Sequence, residues 1–277
     1  MARAAQRRRQ RSLRLARGAP DTLLMHPCRA HVEEDYTVNL IACRLGLQLT
    51  SDPRARFSAA LHWLDATRRP PNPLLEQLAA SLPVINLRAN DISKTRVDAV
   101  MQEVFGYGLA VDPCTTVGPL LEKSDLNALH DGRILAGPLP RRREGRVYQM
   151  LVRGRRDGDV IEELRVPVLG KRVPFVYLKY KRMRDPLALS TRGTITEPAS
   201  VCAPSEIDAL VAFARAMGID FGEFDVIRHH VDGRLYVLDA NTTPAVRFVG
   251  VSAADRRATI DRLAEAFDDV FLRPRST

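Results

Sequence analysis

Asp225, Asp239 and Asn241 stand in the stretch 218–244, where apolar residues alternate on both sides of a polar turn at Val231-Asp232-Gly233. That pattern predicts an antiparallel hairpin whose side chains alternate with period two. Asp225 then falls near Asp239 of the second strand, with Asn241 two residues further along the same face. Three hard oxygen donors in this arrangement suit magnesium, which prefers octahedral oxygen coordination at about 2.0 to 2.1 Å and takes one or two carboxylates plus phosphate oxygens. Manganese is served by the same donors. An Asp-x-Asn pair at a strand end also builds ordinary turns, so its meaning depends on the cations upstream. Lys94 opens a helix in DISKTRV, Lys123 ends a strand in LLEKSDLNALHDG, and Lys179 and Lys181 alternate on one face of VYLKYKRMR. The polar turn after Lys123 offers backbone N–H groups able to fold over a polyphosphate.

The elements that must position these residues read as an α/β chain in several lobes. Strands are predicted at 22–25, 59–64 and 84–87, with helices at 32–45 and 74–82, making a small parallel β/α unit of the doubly wound type. Ser93 caps a helix ended by Gly106, and the strands expected at 109–111, 120–123, 133–135 and 147–152 form an antiparallel lobe covered by that helix. A strand pair at 164–169 and 173–180 follows. Residues 184–204 are rich in Pro, Ser and Thr and read as a long lid-like loop. Capping-box patterns at Ser205–Asp208 and Ser252–Asp255 start the last two helices. The division is 1–19 as a basic disordered leader, 20–90 as the β/α domain, 91–150 as the central lobe and 151–277 as the C-terminal lobe.

Composition is that of an ordinary globular chain, 45% hydrophobic and 27% charged over 277 residues. The net charge of +9 is concentrated at the start, where seven arginines precede Asp21 and leave +2 for the rest. Such a leader attracts RNA, anionic surfaces or acidic partners and has the make-up of a transit peptide; a solvated tail is the simpler expectation. Nucleic acid is expected only through it, because the body has no aromatic-basic recognition motif. Cys28, Cys43, Cys114 and Cys202 are scattered and read as reduced thiols. No apolar run spans a bilayer and no secretory segment is present, so a cytoplasmic location without membrane contact is expected.

Over roughly 86–245 the pattern resembles the ATP-grasp superfamily, whose members include D-alanine ligase, glutathione synthetase and the ribosomal-protein glutamate ligases. FGEFDVIRHHVDGRLYVLDANTTP looks like that superfamily's metal-binding hairpin. The resemblance implies an ATP-grasp fold with a shortened N-terminal β/α domain, a small antiparallel central lobe and a larger C-terminal lobe. It implies that Asp225, Asp239 and Asn241 hold magnesium against ATP, that Lys94 and Lys123 contact phosphates, and that Gln149, Met150, Leu151 and Val152 line the adenine pocket. Glu163 matches the ribose-binding acid, with Asp157 or Glu162 as substitutes if the alignment slips. Two departures stand out. The phosphate-covering loop is SDLNALHDG rather than glycine-rich, leaving Ser124, Asn127 and His130 to supplement backbone donors, and Glu223 stands where D-alanine ligase has an arginine.

The resemblance therefore implies a carboxylate–amine ligase in which the acid attacks the γ-phosphate, Lys94, Lys123 and Lys179 neutralise the transferring group, and an amine attacks the resulting acylphosphate. A cation for the transition state comes from Lys179, Arg165, Arg182 or Arg247. A phosphotransferase acting on a hydroxyl and a non-catalytic ATP-binding module are the alternatives. Expected partners are small or carrier-borne acids and amines, with a homodimer as one way of completing the shortened N-terminal unit.

Overall fold

The computed structural model describes residues 21–28, 34–129, 131–154, 156–157, 160–182, 190, 192–245 and 248–273, without the side chains of 156, 157 and 182. Strands β1 (Thr22–His26), β2 (Gln48–Thr50), β3 (Ala59–His62) and β4 (Val84–Ile85) form an all-parallel sheet in the order β2-β1-β3-β4. Helices α1 (Thr37–Leu45) and α2 (Pro73–Leu78) are the crossovers, as the β/α pattern requires. Leu23, Met25, Leu61 and Ile85 bury against Val38, Ile41 and Leu47. The short, partly exposed β2 was not expected, since it lacks the apolar run that marks a buried strand. β4 stops at Ile85 because the next residue, Asn86, turns the chain with a φ of 60°.

Helix α3 (Lys94–Phe105) begins at Ser93, whose hydroxyl accepts the Arg96 N–H, and ends at Gly106 in the left-handed conformation. The antiparallel sheet that follows has the order β6-β5-β7, from β5 (Gly118–Ser124), β6 (Arg133–Gly137) and β7 (Arg146–Met150). Two expectations fail here. Residues 109–111 make only an isolated bridge from Ala110 to Gln149, because the Asp98 carboxylate takes the N–H groups of Leu109 and Ala110. Nor does α3 cover this sheet: Val97, Val100 and Met101 pack with Leu164, Val166, Phe213 and Phe224. The three-stranded sheet buries only Leu120 and Tyr148 among its described apolar side chains, so the helix follows the larger apolar surface elsewhere.

That surface belongs to the principal sheet, ordered β11-β10-β9-β12-β13, with β8 (Arg156–Asp157) also on β9. Its strands β9 (Val160–Leu169), β10 (Val176–Arg182), β11 (Arg192–Thr196), β12 (Phe221–Arg228) and β13 (Leu235–Asn241) are antiparallel. Leu164, Val166, Val176, Phe224 and Val226 turn one face to α3 and α4 (Pro204–Ala216). At one end Leu169, Phe175, Tyr177 and Phe221 join the parallel unit and α5 (Ala253–Phe267) in a second core.

Part of the expected 184–204 loop is thus the strand β11, and 183–189 and 191 lie outside the described residues. Its sequence RGTIT hides the pattern. Gly193 lies so close to the Tyr177 ring that an added Cβ would come within 2.2 Å, so the pairing requires glycine there. The box expected at Ser205–Asp208 is also displaced: Ala203 is the N-cap of α4 and its N–H donates to Glu206 at 2.8 Å. For α5, Ser252 is the cap as expected, accepting the Asp255 N–H at 3.1 Å. The cysteines form no disulfide among the described residues, and no helix among the described residues is long and apolar enough to cross a membrane.

Candidate functional site

Strand register assembles the site on the polar face of the principal sheet. Asp225 of β12 lies opposite Asp239 of β13, and Glu223 opposite Asn241. On the other flank Asp225 lies opposite Arg165 of β9, while Glu163 of β9 lies opposite Lys179 of β10. Directly opposed residues share a face, so six ionisable side chains and one amide are brought onto it. The register shifts just after Asp225, an irregularity of the kind that increases local twist.

Charge pairing binds these groups into a network. Arg165 donates to both Asp225 oxygens, Nε to Oδ1 at 3.0 Å and Nη2 to Oδ2 at 3.2 Å, and its Nε stands 3.8 Å from Glu223. Lys179 donates to Asp225 Oδ1 at 2.7 Å and pairs with Glu163, whose second oxygen takes Lys181 at 2.7 Å. Burial pushes the Asp225 carboxyl up, but Arg165 and Lys179 together outweigh it and hold the group well below the usual carboxylate range. Burial also lowers Arg165 and Lys179, yet their acidic neighbours raise both on balance. Glu223 is different: burial raises it despite Arg165, and its Oε2 has no hydrogen-bond partner.

Asp239 is the least compensated acid of the expected metal set. Burial raises its carboxyl, with Lys94 and Lys123 acting in the opposite direction and Asp225 adding to the rise. Asn241 Oδ1 accepts the Thr243 N–H at 2.9 Å and lies 3.4 Å from the Thr243 hydroxyl, which is nearer to Asp65 Oδ1 at 3.1 Å, so Thr243 orients the amide. No group of three or more His, Cys, Asp and Glu side chains gathers in metal-holding fashion among the described residues. The donor set is two facing carboxylates and an amide, which fits magnesium's use of one or two carboxylates completed by phosphate and water.

Two lysines reach this face from other elements. Lys123 of β5 is depressed to about 8, first by burial and then by Lys94, with Asp239, Glu163 and Asp225 drawing it back up. Lys94, in the first turn of α3, donates to Leu126 O at 2.8 Å and to Asn127 Oδ1 at 3.3 Å. The loop after Lys123 is thereby anchored. Asn127 also donates from Nδ2 to Ala240 O at 3.0 Å, and its N–H goes to Thr67 Oγ1 at 2.8 Å. Its amide is therefore a strut between the loop and β13, where the sequence suggested a free donor. Ser124 Oγ accepts the Leu126 N–H at 3.1 Å. His130 and Arg247 lie outside the described residues, and for Arg182 only the backbone is described.

The expected adenine segment lies at the end of β7. Buried Gln149 is opposite Leu121, and Val147 is opposite Lys123. Leu121, Ile134, Val147 and Gln149 accordingly share the face that carries Lys123. Sequence reading missed the three aliphatic members; their alternation with Lys123 was the available signal. The N–H groups of Met150 and Val152 already have acceptors, Leu109 O at 2.8 Å and Met150 O at 3.1 Å. Met150 and Val152 pack beside the core behind the principal sheet, and Leu151 is half-buried. Glu163 has both oxygens engaged by lysines.

The three sheets, with acids on a hairpin and lysines brought from a smaller lobe, define the ATP-grasp fold. Solved structures agree. The ATP-grasp ligase PsnB, complexed with minimal precursor, aligns over 89% of this chain and 99% of its own at 18% identity, with a TM-score of 0.55. D-alanine–D-alanine ligase from Bacillus anthracis aligns over 90% and 96% at 12% identity and 0.54. VanG D-Ala:D-Ser ligase from Enterococcus faecalis aligns over 78% and 73% at 14% identity and 0.51. No family model and no curated protein sequence matches the chain.

Proposed function

We propose that this chain is an ATP- and magnesium-dependent ligase that joins a carboxylate to an amine through an acylphosphate, releasing ADP and phosphate. The observation that carries the reading is that Lys94 and Lys123, from other elements, both act electrostatically on Asp239, whose register partner is Asp225. Among proteins of similar fold, PsnB has been crystallised with minimal precursor, Mg and ADP, and with a precursor peptide and AMPPNP. These support a nucleotide–magnesium site and an acid or amine borne on a peptide or other carrier as well as a small one.

In this reading Asp225, Asp239 and Asn241 hold magnesium, which supplies charge neutralisation at the phosphates when bound. Lys94, Lys123 and Lys179 bind phosphate oxygens, Leu121, Ile134 and Val147 offer apolar contact to the base beside Gln149, Met150, Leu151 and Val152, and Glu163 orients the ribose. The attacking carboxylate and the γ-phosphoryl group need alignment and cationic neighbours rather than a protein nucleophile. Arg165 is the cation of choice for the tetrahedral oxyanion, because it lies beside Asp225 and its position is set by two hydrogen bonds.

A hydroxylamine trap tests the proposal. With ATP, magnesium and a library of acids, a ligase yields a hydroxamate and ADP; phosphorylated alcohol without hydroxamate would assign a kinase, and nucleotide binding without turnover would assign a binding module.

A further inference from the structure

The back of the molecule holds a second concentration of cationic groups, separated from the first by the principal sheet. A cavity of about 300 Å³ is lined by Arg88 and Asp91 from the segment leaving the parallel unit, Arg96 of α3, and Arg215, Met217 and Gly218 at the end of α4. Arg88 and Arg215 are exposed and Arg96 half-buried. None of the three pairs with a carboxylate among the described residues. Arg96 donates to Ala216 O at 3.0 Å, which leaves most of its N–H groups free. Of the nearby acids, Asp91 accepts the Ser93 N–H at 2.8 Å and faces Arg68 at 3.6 Å, while Asp220 accepts the Asn86 N–H at 2.8 Å and feels the Arg88 charge without forming an ion pair with it.

Arg88, Arg96 and Arg215 bring three guanidinium groups to the lining of one concavity. Their planar N–H forks match oxyanions. The walls are also firmly built, because Gly218 at a φ of 72° leaves no room for a side chain against the Arg88 carbonyl. We propose that this cavity is a binding site for a small multivalent oxyanion, of the phosphate class, held by Arg88, Arg96 and Arg215. The site is separate from the nucleotide face but mechanically close to it. Arg96 lies in the same helical turn as Lys94, and β12, which carries Asp225, begins three residues after Gly218.

Titration of the full-length protein with inorganic phosphate, followed by amide NMR shifts at constant ionic strength against chloride, tests the site. Saturable shifts are expected at Arg96 and at 216–218, persisting in Lys123→Ala and weakened about tenfold or more in Arg88→Ser/Arg215→Ser. Both substituted arginines are exposed, and an unchanged melting temperature confirms that the double variant folds. Shifts that chloride reproduces, that survive the double substitution, or that occur only around 124–129 and vanish in Lys123→Ala would overturn the proposal.

Discussion

Arg165 holds Asp225 from the neighbouring strand with two hydrogen bonds, Nε to Oδ1 at 3.0 Å and Nη2 to Oδ2 at 3.2 Å. The hairpin itself has Glu223 two residues before that acid, and the cation beside Asp225 comes from β9 by cross-strand register.

That pairing makes a coupling prediction. Asp225→Ala leaves Arg165 and Lys179 without their shared acid and should cost about 3 kcal/mol in urea denaturation. Adding Arg165→Met should cost less than the sum of the two single changes, with a coupling of about 1 to 3 kcal/mol. Additive losses would show that the pair does not act as a unit.

Asp239 should show the opposite balance of stability and activity. Its carboxyl is raised by burial, so its charge opposes folding above the folded-state pKa, and that penalty disappears below the unfolded-state value. Asp239→Asn is therefore expected to melt no lower than the parent at pH 7, while ATP turnover falls by more than about 100-fold. Parental turnover in this variant would remove Asp239 from the metal set.

Lys123 predicts a pH dependence. Its folded pKa, about 8, lies below the ordinary lysine value of 10.5. The charged form is thus disfavoured by folding, so this group destabilises the fold below about 8 and ceases to do so as pH rises through 8 toward 10.5. Phosphate binding needs the ammonium, so ATP affinity should weaken above pH 8. Lys123→Arg should flatten that decline, since a guanidinium stays charged; an identical profile in the variant would assign the decline to another group.

Asn86 joins the parallel unit to the hairpin. It adopts a φ of 60°, its Oδ1 accepts the N–H groups of Asp220 and Phe221 at 2.8 and 2.9 Å, and its Nδ2 donates to Phe221 O at 2.7 Å. Asn86→Ala should lose about 3 kcal/mol, combining unpaired buried groups with left-handed strain. Asn86→Gly keeps the backbone conformation and should recover about 1 kcal/mol of that loss; equal losses would mean that the φ carries no strain.

Local pattern decided a large part of this molecule. The alternation around 225 and 239 predicted the hairpin, the Ser93 and Ser252 caps marked helix starts, and the β/α rhythm of 22–85 required parallel strands, because side-chain period and capping are short-range properties of the chain. What those residues face was decided by tertiary structure. The destination of α3, the strand hidden in 192–196, the loss of Asn127 to a strut and the arrival of Arg165 beside Asp225 depend on pairings between separate segments, from 12 residues apart for Tyr180 and Arg192 to 113 for Asn127 and Ala240, whose register follows from burial of whole faces and cannot be read within any one segment.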